Sequence, residues 1–396
     1  MKAGVVVLAN PKSGGAYRYE MGVIRGLQRS SNLDFVVFVP KRCKRQYQAE
    51  FPRSETQTYK YSKTTLFGLW LRSSILGFHI LTKLNLRYSQ LEKSVLAAGC
   101  NLIYFLSPNP LALGIVDLPL ISTVWDLGHR EIPVYPEISG NRHFEEREHY
   151  FSSVLPKSTA IIVDSESTRQ NLKNYYAIDE EKVLVGGMPF ELNSEELSEV
   201  LAFDTTKVVS NPYLIYPAHF WPHKRHILLL KAFSQIARRF PDLTLVLTGS
   251  NKGNAGFVKE TAMELGISNR VLFTGFLPYT NVLALIRNAE LLVFPSDLGP
   301  TNIPPLEARF FGTPSVLSKV HDTQIHSAPT VSFVPEQSAQ QWCDAICDAL
   351  NKKQRDNRTI VPAEPHRSSL LSDELVAFLK SKINEWRSPQ FYRIDD

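Results

Sequence analysis

Cysteine is scarce in this chain, with four in 396 residues, at positions 43, 100, 343 and 347. They make no CxxC pair and no Cys/His ligand spacing, which excludes a disulfide framework and a zinc-finger pattern. Cys343 and Cys347 fall on one face of a helix, and all four are expected as free thiols in a reducing compartment. Long apolar runs are also missing. Nothing reaches the roughly 18 unbroken apolar residues that a spanning helix requires. Met1-Lys2 leads almost directly into Val5–Leu8, an apolar run too short for a signal peptide. The expectation is therefore a cytoplasmic protein. A strong charge of one sign is absent too. A net charge of +5 suits anionic small molecules or a lipid surface and is too weak to argue for nucleic acid. Finally, the chain has neither a Walker A loop nor a complete GxGxxG.

What is present is a repeating grammar. Hydrophobic residues make up 43% and charged residues 21%, enough for packed cores, and the length suits two domains better than one. Short apolar runs at Val5–Leu8, Phe35–Val39, Leu102–Phe105, Leu120–Val124, Ala160–Val163 and Val183–Val185 alternate with helical or loop material. Such alternation predicts a parallel, doubly wound α/β sheet with ligands outside the carboxyl ends of its strands. The pattern restarts at Tyr213–Tyr216, Leu243–Leu247, Val271–Phe273 and Leu291–Phe294. The polar stretch Glu191–Asn211 is read as the connection. Domains are expected at 1–195 and 196–368, with 369–396 as a terminal segment whose spacing from Leu370 to Trp386 is helical.

Four segments carry candidate chemistry. The run Phe294 to Ala308 goes from a strand through a Gly/Pro/Asn loop into a helix opened by Pro304-Pro305. Unpaired N–H groups and the positive end of a helix dipole meet there, either as an anion site or as a plain helix start. Glu307 adds a carboxylate that suits a sugar diol. Asn10-Pro-Lys-Ser-Gly-Gly15 is either a phosphate-facing loop or a simple strand-to-helix turn in which Gly14 and Gly15 allow close approach. Trp125-Asp-Leu-Gly-His129 offers His129 to an oxyanion or hydroxyl, with Asp126 to hold it; the alternative is a structural histidine. The charge run Arg142 to Glu148 reads as a solvated helix face, and Ser165 as a helix cap. Leu66 to Leu81, with Lys60, Lys63, Arg72, Lys83 and Arg87 around it, is either an interfacial helix on anionic lipid or a core helix.

Taken together, these landmarks resemble a GT-B glycosyltransferase of the family 4 (group 1) type over nearly the whole chain. The matching residues are Gly14-Gly15, Asp126 with His129, Trp221-Pro-His-Lys224, Gly275-Phe276-Leu277-Pro278, Phe294-Pro-Ser296, and Ile303-Pro-Pro-Leu-Glu-Ala308 with Gly312-Thr-Pro314. The run Gly299 to Glu307 is similar to enzymes that build O-antigens and related surface polysaccharides. The resemblance implies two Rossmann-like domains facing across a cleft, with the nucleotide-sugar held by the second and a glycan or polyprenyl-linked acceptor presented by the first. It also implies retention of anomeric configuration, no bound metal, and a terminal helix crossing back towards the first domain.

In that reading Lys224 and the helix at Thr301-Asn302-Ile303 neutralise the departing diphosphate. Glu307 takes the ribose, Gly275, Phe276 and Leu277 meet the base, His129 sits by the transferred sugar, and Gly14-Gly15 admit the phosphates. No nucleophile stands at the expected place, which favours same-face displacement over a covalent intermediate. The chain departs from the family at two points. Gly299 stands where a glutamate is common, leaving Asp297 or Asn302 to substitute; Ala218-His219 stands where an arginine is common, leaving His219 or Arg225 to supply the charge. Two alternatives remain open, a catalytically silent nucleotide-sugar-binding protein and a GT-B epimerase or phosphorylase. Residues 60–90 are the candidate contact with an anionic membrane on the inner face.

Overall fold

Short Val-, Ile- and Leu-rich segments with both faces buried form two all-parallel sheets, as such runs require when helices cover each side. The computed structural model describes residues 1–8, 14–30, 32–60, 69, 89–190, 192–299, 301–320, 328–335, 338–353 and 368–386. The first sheet contains β1 (Lys2–Val6), β2 (Asp34–Pro40), β3 (Glu55–Tyr59), β4 (Leu102–Phe105), β5 (Leu120–Val124), β6 (Ala160–Val163) and β7 (Val183–Val185). Its spatial order is β3-β2-β1-β4-β5-β6-β7. The second contains β8 (Tyr213–Pro217), β9 (Thr244–Thr248), β10 (Val271–Gly275), β11 (Leu291–Phe294), β12 (Ser315–Ser318) and β13 (Val331–Val334), in the order β10-β9-β8-β11-β12-β13. In each sheet the first strand lies beside the fourth, so the winding reverses between them. A ligand crevice is expected there, at the carboxyl ends.

The chain divides into two compact units. One comprises Met1–Arg130, Arg142–Pro189 and the helix Ser368–Glu385; the other comprises Glu131–Asn141 and the chain from Phe190 to the helix Ala339–Lys353. The division thus falls after Pro189 rather than after residue 195, and an eleven-residue segment from the first half of the sequence belongs to the second unit. Residues 194–202, read as connection, form a helix capped by Asn193 and Glu196 in a reciprocal capping box. Its Val200 is fully buried in the second core. The helix Ser368–Glu385 packs on Gly15–Arg29 and buries Leu375, Val376 and Leu379 in the first unit.

All four cysteines are free and buried. Among the described residues no helix is long and apolar enough to cross a membrane. The basic aromatic stretch 66–81 lies outside the described residues apart from Leu69, which is buried. Three strands carried too little apolar signal to be expected. β3 is a polar edge strand, and β12 and β13 are four residues each with serines among them.

Because the capping box joins Asn193 Oδ1 to the Glu196 N–H at 2.7 Å, Asn193→Ala is expected to loosen that helix by about 1 kcal/mol. Amide exchange over residues 197–202 should then speed up roughly fivefold, with the rest of the second unit unaffected.

Candidate functional site

The reversal point of the second sheet lies between β8 and β11, and the two loops leaving those strands supply the principal side chains. The loop after β8 runs through a short 3-10 turn, Pro222–Lys224, into the helix His226–Arg239. The loop after β11 runs to the helix Ile303–Phe310, whose second and third residues are prolines. Those prolines carry no N–H, so the donors at that helix start are concentrated at Ile303 and the residues just before it.

The Lys224 ammonium joins the two loops. It donates to Ser296 Oγ and to Asn302 Oδ1, both at 3.1 Å, and lies 5.3 Å from the centre of the Phe294 ring. Its own carbonyl accepts from the Tyr216 hydroxyl at 2.6 Å. Asn302 is held in a positive-φ conformation (+35°), and its amide nitrogen donates to the Leu298 and Gly299 carbonyls. Gly299 itself sits at φ +94°, where a Cβ would come within 2.6 Å of the Asn302 amide nitrogen. The absent glutamate thus has a local cause: this turn is closed by Asn302, and a side chain at 299 does not fit it. Thr301 is fully buried, and Ile303 nearly so.

Of the two residues expected to supply the missing charge, His219 does not. Its Nδ1 accepts the Ser250 N–H at 3.0 Å, and burial, then Lys252 and Lys224, lower its pKa, so it stays neutral near pH 7. Arg225 does bring a cation, in a left-handed conformation at φ +54°, but pairs it with Asp297 Oδ2 at 3.1 Å. Asp297 is therefore engaged by Arg225 and by the Tyr135 hydroxyl. Glu307, 3% exposed, accepts from the Tyr279 hydroxyl at 2.7 Å. The Gly275 carbonyl accepts from the Gly249 N–H and from Thr248, while Phe276 is exposed and Leu277 half-buried. The carboxyl ends of β8, β9, β10 and β11 thus bring Lys224, Asn302, His219, Arg225 and the Gly275 turn into one linked set of loops.

The remaining expected residues lie in the first unit. Gly14 (φ +60°) precedes the helix Gly15–Arg29, and Gly15 is exposed. His129, on the loop after β5, is completely buried and stacks on Phe151 at 5.4 Å. Its Nε2 lies 2.9 Å from the Tyr176 hydroxyl and 3.3 Å from Glu148 Oε2. Tyr176 donates its own proton to Glu148, so both neighbours accept and Nε2 carries the proton. Burial, then the Arg147 charge, pushes the His129 pKa down to about 4. Nδ1 is left as a buried acceptor with no hydrogen-bond partner among the described residues. Asp126 does not hold His129. It accepts from the Gly128 N–H at 2.8 Å and pairs with Arg147 at 2.5 Å. Arg147 and Glu148, read as part of a solvated face, are half-buried partners of this cluster.

Sequence reasoning missed several of these groups. Glu20 is fully buried at the reversal point of the first sheet, accepting from the Leu8 N–H, Ser107 and Tyr47. Tyr135, Glu137 and Tyr176 lie in segments with no motif around them, and Glu148 ends the charge run read as a solvated face. Ser296, by contrast, stood in the Phe294-Pro-Ser296 landmark just beyond a predicted strand end.

The fold recurs in known proteins, and part of the chain matches a known family. Residues 198–364 match the family described as glycosyl transferases group 1. The D-inositol 3-phosphate glycosyltransferase of Corynebacterium glutamicum is 24% identical over 285 residues, covering 68% of this chain and 67% of that protein. Two other relatives match over only 41% and 59% of their own length. Among solved structures, Anabaena HepE in complex with UDP-glucose superposes with a TM-score of 0.63 at 18% identity, over 97% of this chain and 98% of that one. The lipopolysaccharide outer core galactosyltransferase WaaB, in its apo form, gives 0.64 at 14% identity over 96% and 100%. Residues 198–364 thus resemble the glycosyl transferases group 1, and the chain as a whole shares the two-sheet GT-B fold of these structures.

Proposed function

We propose that the protein transfers a sugar from a nucleoside diphosphate sugar to a hydroxyl of a glycan or polyprenyl-linked oligosaccharide, with retention, in the assembly of a surface polysaccharide. The observation that carries the reading is Lys224, fixed between Ser296 and Asn302 at the reversal point of the second sheet, beside the start of the helix Ile303–Phe310. An ammonium group and backbone donors at one spot stabilise charge that develops on a leaving diphosphate without a metal ion. Two of the neighbours were solved with UDP and with UDP-glucose, ligands of the kind proposed here.

In this mechanism the bond from the anomeric carbon to the phosphate oxygen breaks and the bond to the acceptor oxygen forms on the same face. The acceptor's proton passes to the departing phosphate, giving a glycoside and a nucleoside diphosphate. Thr301, Asn302 and Ile303 lie at the phosphates, Glu307 at the ribose, and Gly275, Phe276 and Leu277 at the base. Gly14 and Gly15 leave backbone room for a phosphate. His129 meets the transferred sugar through Nδ1, which accepts a hydroxyl proton, and Asp126 acts at one remove through Arg147. The acceptor is expected to reach the protein at an anionic membrane surface on the cytoplasmic side.

A panel of UDP-, GDP- and dTDP-sugars in a thermal-shift assay tests the assignment, because a ligand bound only by the native state raises its melting temperature. One class should stabilise the protein, and Lys224→Ala should abolish most of that shift while lowering turnover on the order of 100- to 1000-fold. Turnover should persist in EDTA. No shift across the panel, or a strict need for magnesium, overturns the reading.

Gly299 is the feature that favours a catalytically silent nucleotide-sugar-binding protein instead. Restoring the family's residue separates the two. At φ +94°, and with Asn302 in the way, Gly299→Glu should weaken nucleotide binding about tenfold, the effect of roughly 1–2 kcal/mol of strain. A gain of activity in that variant would support the silent reading.

A further inference from the structure

We propose that the segment Glu131–Asn141 is a strap that positions Lys224, with Tyr135 and Glu137 as its working residues; this rests on the assignment of Lys224 to the diphosphate. The segment leaves the chain of the first unit at Arg130, packs within the second unit, and rejoins at Asn141 and Arg142, two consecutive non-glycine residues at positive φ. It is internally braced. Pro136–Ser139 makes one helical turn closed by the Gly140 N–H on the Pro136 carbonyl at 2.7 Å, and Ser139 bonds back to the Pro133 carbonyl at 2.6 Å.

Its polar groups converge on the residues either side of Lys224. Glu137 Oε1 accepts the main-chain N–H of His223 at 2.9 Å and lies 2.8 Å from His223 Nδ1. The edge of the Tyr135 ring meets the His223 ring at 6.2 Å. On the other side, Arg225 Nη1 donates to the Tyr135 hydroxyl at 3.2 Å, and that hydroxyl donates to Asp297 Oδ2. Arg225 also pairs with Asp297, whose N–H donates to the His223 carbonyl at 2.9 Å. Asp297 adjoins Ser296, the residue that receives the ammonium. Both chain neighbours of Lys224, and the neighbour of one of its acceptors, are thus fixed from this one segment.

Ile138 buries its side chain as an apolar anchor, but Val134, next to Tyr135, is 80% exposed, and the contacts to the residues around Lys224 are made by the tyrosine hydroxyl and the glutamate. Arg225 adopts a left-handed conformation that places its guanidinium between Tyr135 and Asp297. The arrangement fixes the direction of the Lys224 side chain before any phosphate arrives, which is how a preorganised cation is most effective.

Titration calorimetry on the full chain tests this. UDP, GDP and dTDP are compared first, and the tightest is carried forward with its parent nucleoside. Tyr135→Phe and Glu137→Gln should each weaken the nucleoside diphosphate about tenfold, as for one lost hydrogen bond to a charged group, and leave nucleoside affinity unchanged. Adding Tyr135→Phe to Lys224→Ala should cost nothing beyond Lys224→Ala alone, because coupled residues are non-additive. Parental affinity in both variants, equal losses for nucleoside and diphosphate, or additive losses in the double variant would overturn the strap while leaving the donor site standing. A parent that binds none of the three, or a Lys224→Ala that binds like the parent, would defeat the donor-site assignment and the strap with it. Melting curves identify any variant that fails to fold. Tyr135→Phe keeps the ring, so it decides the question if Glu137→Gln does not survive.

Discussion

One ammonium group organises the loops at the reversal point of the second sheet. Lys224 is held by a hydroxyl, an amide oxygen and an aromatic face. Almost every irregularity nearby follows from holding it there. Asn302 takes a conformation unusual for a side-chain-bearing residue, Gly299 clears room for the Asn302 amide, and Arg225 bends left-handed at the helix entrance. Strained backbone of this kind persists only where surrounding contacts over-determine it, and here those contacts come from three separate stretches of sequence.

The two units reach the same winding with opposite polarity at their reversal points. In the second, a cation stands beyond the strand ends. In the first, a fully buried carboxylate, Glu20, ties the end of β1 to the residues after β4 through Leu8 and Ser107. Sheet topology fixes where ligands gather, and side chains decide which charge is welcome.

Legibility followed local information content. Strands with continuous apolar residues, such as Leu102–Phe105, Leu120–Val124, Ala160–Val163 and Leu291–Phe294, were readable to the residue, because burial on both faces leaves no polar alternation to confuse them. β3 and β12 were not, since Glu-Thr-Gln-Thr and Ser-Val-Leu-Ser carry neither period nor bulk. Lys224, Asn302 and Glu307 were visible because their segments follow strand ends directly. The strap was invisible: Tyr135 and Asp297 are 162 positions apart, and nothing in a loop of prolines and acids announces a partner so distant. His129 shows the limit from the other side. Its loop was recognisable, but only coordinates reveal that Glu148 and Tyr176, not Asp126, fix which ring nitrogen holds the proton.

The left-handed arginine carries a consequence for how this protein can drift. Glycine is the residue that such a backbone conformation prefers, so Arg225→Gly would relieve local strain on the order of 1 kcal/mol. The same change forfeits the ion pair with Asp297 and the bond to Tyr135, so backbone ease and side-chain contact pull in opposite directions at a single codon. An arginine kept at such a backbone position implies that its side-chain contacts outweigh the relief that glycine would bring.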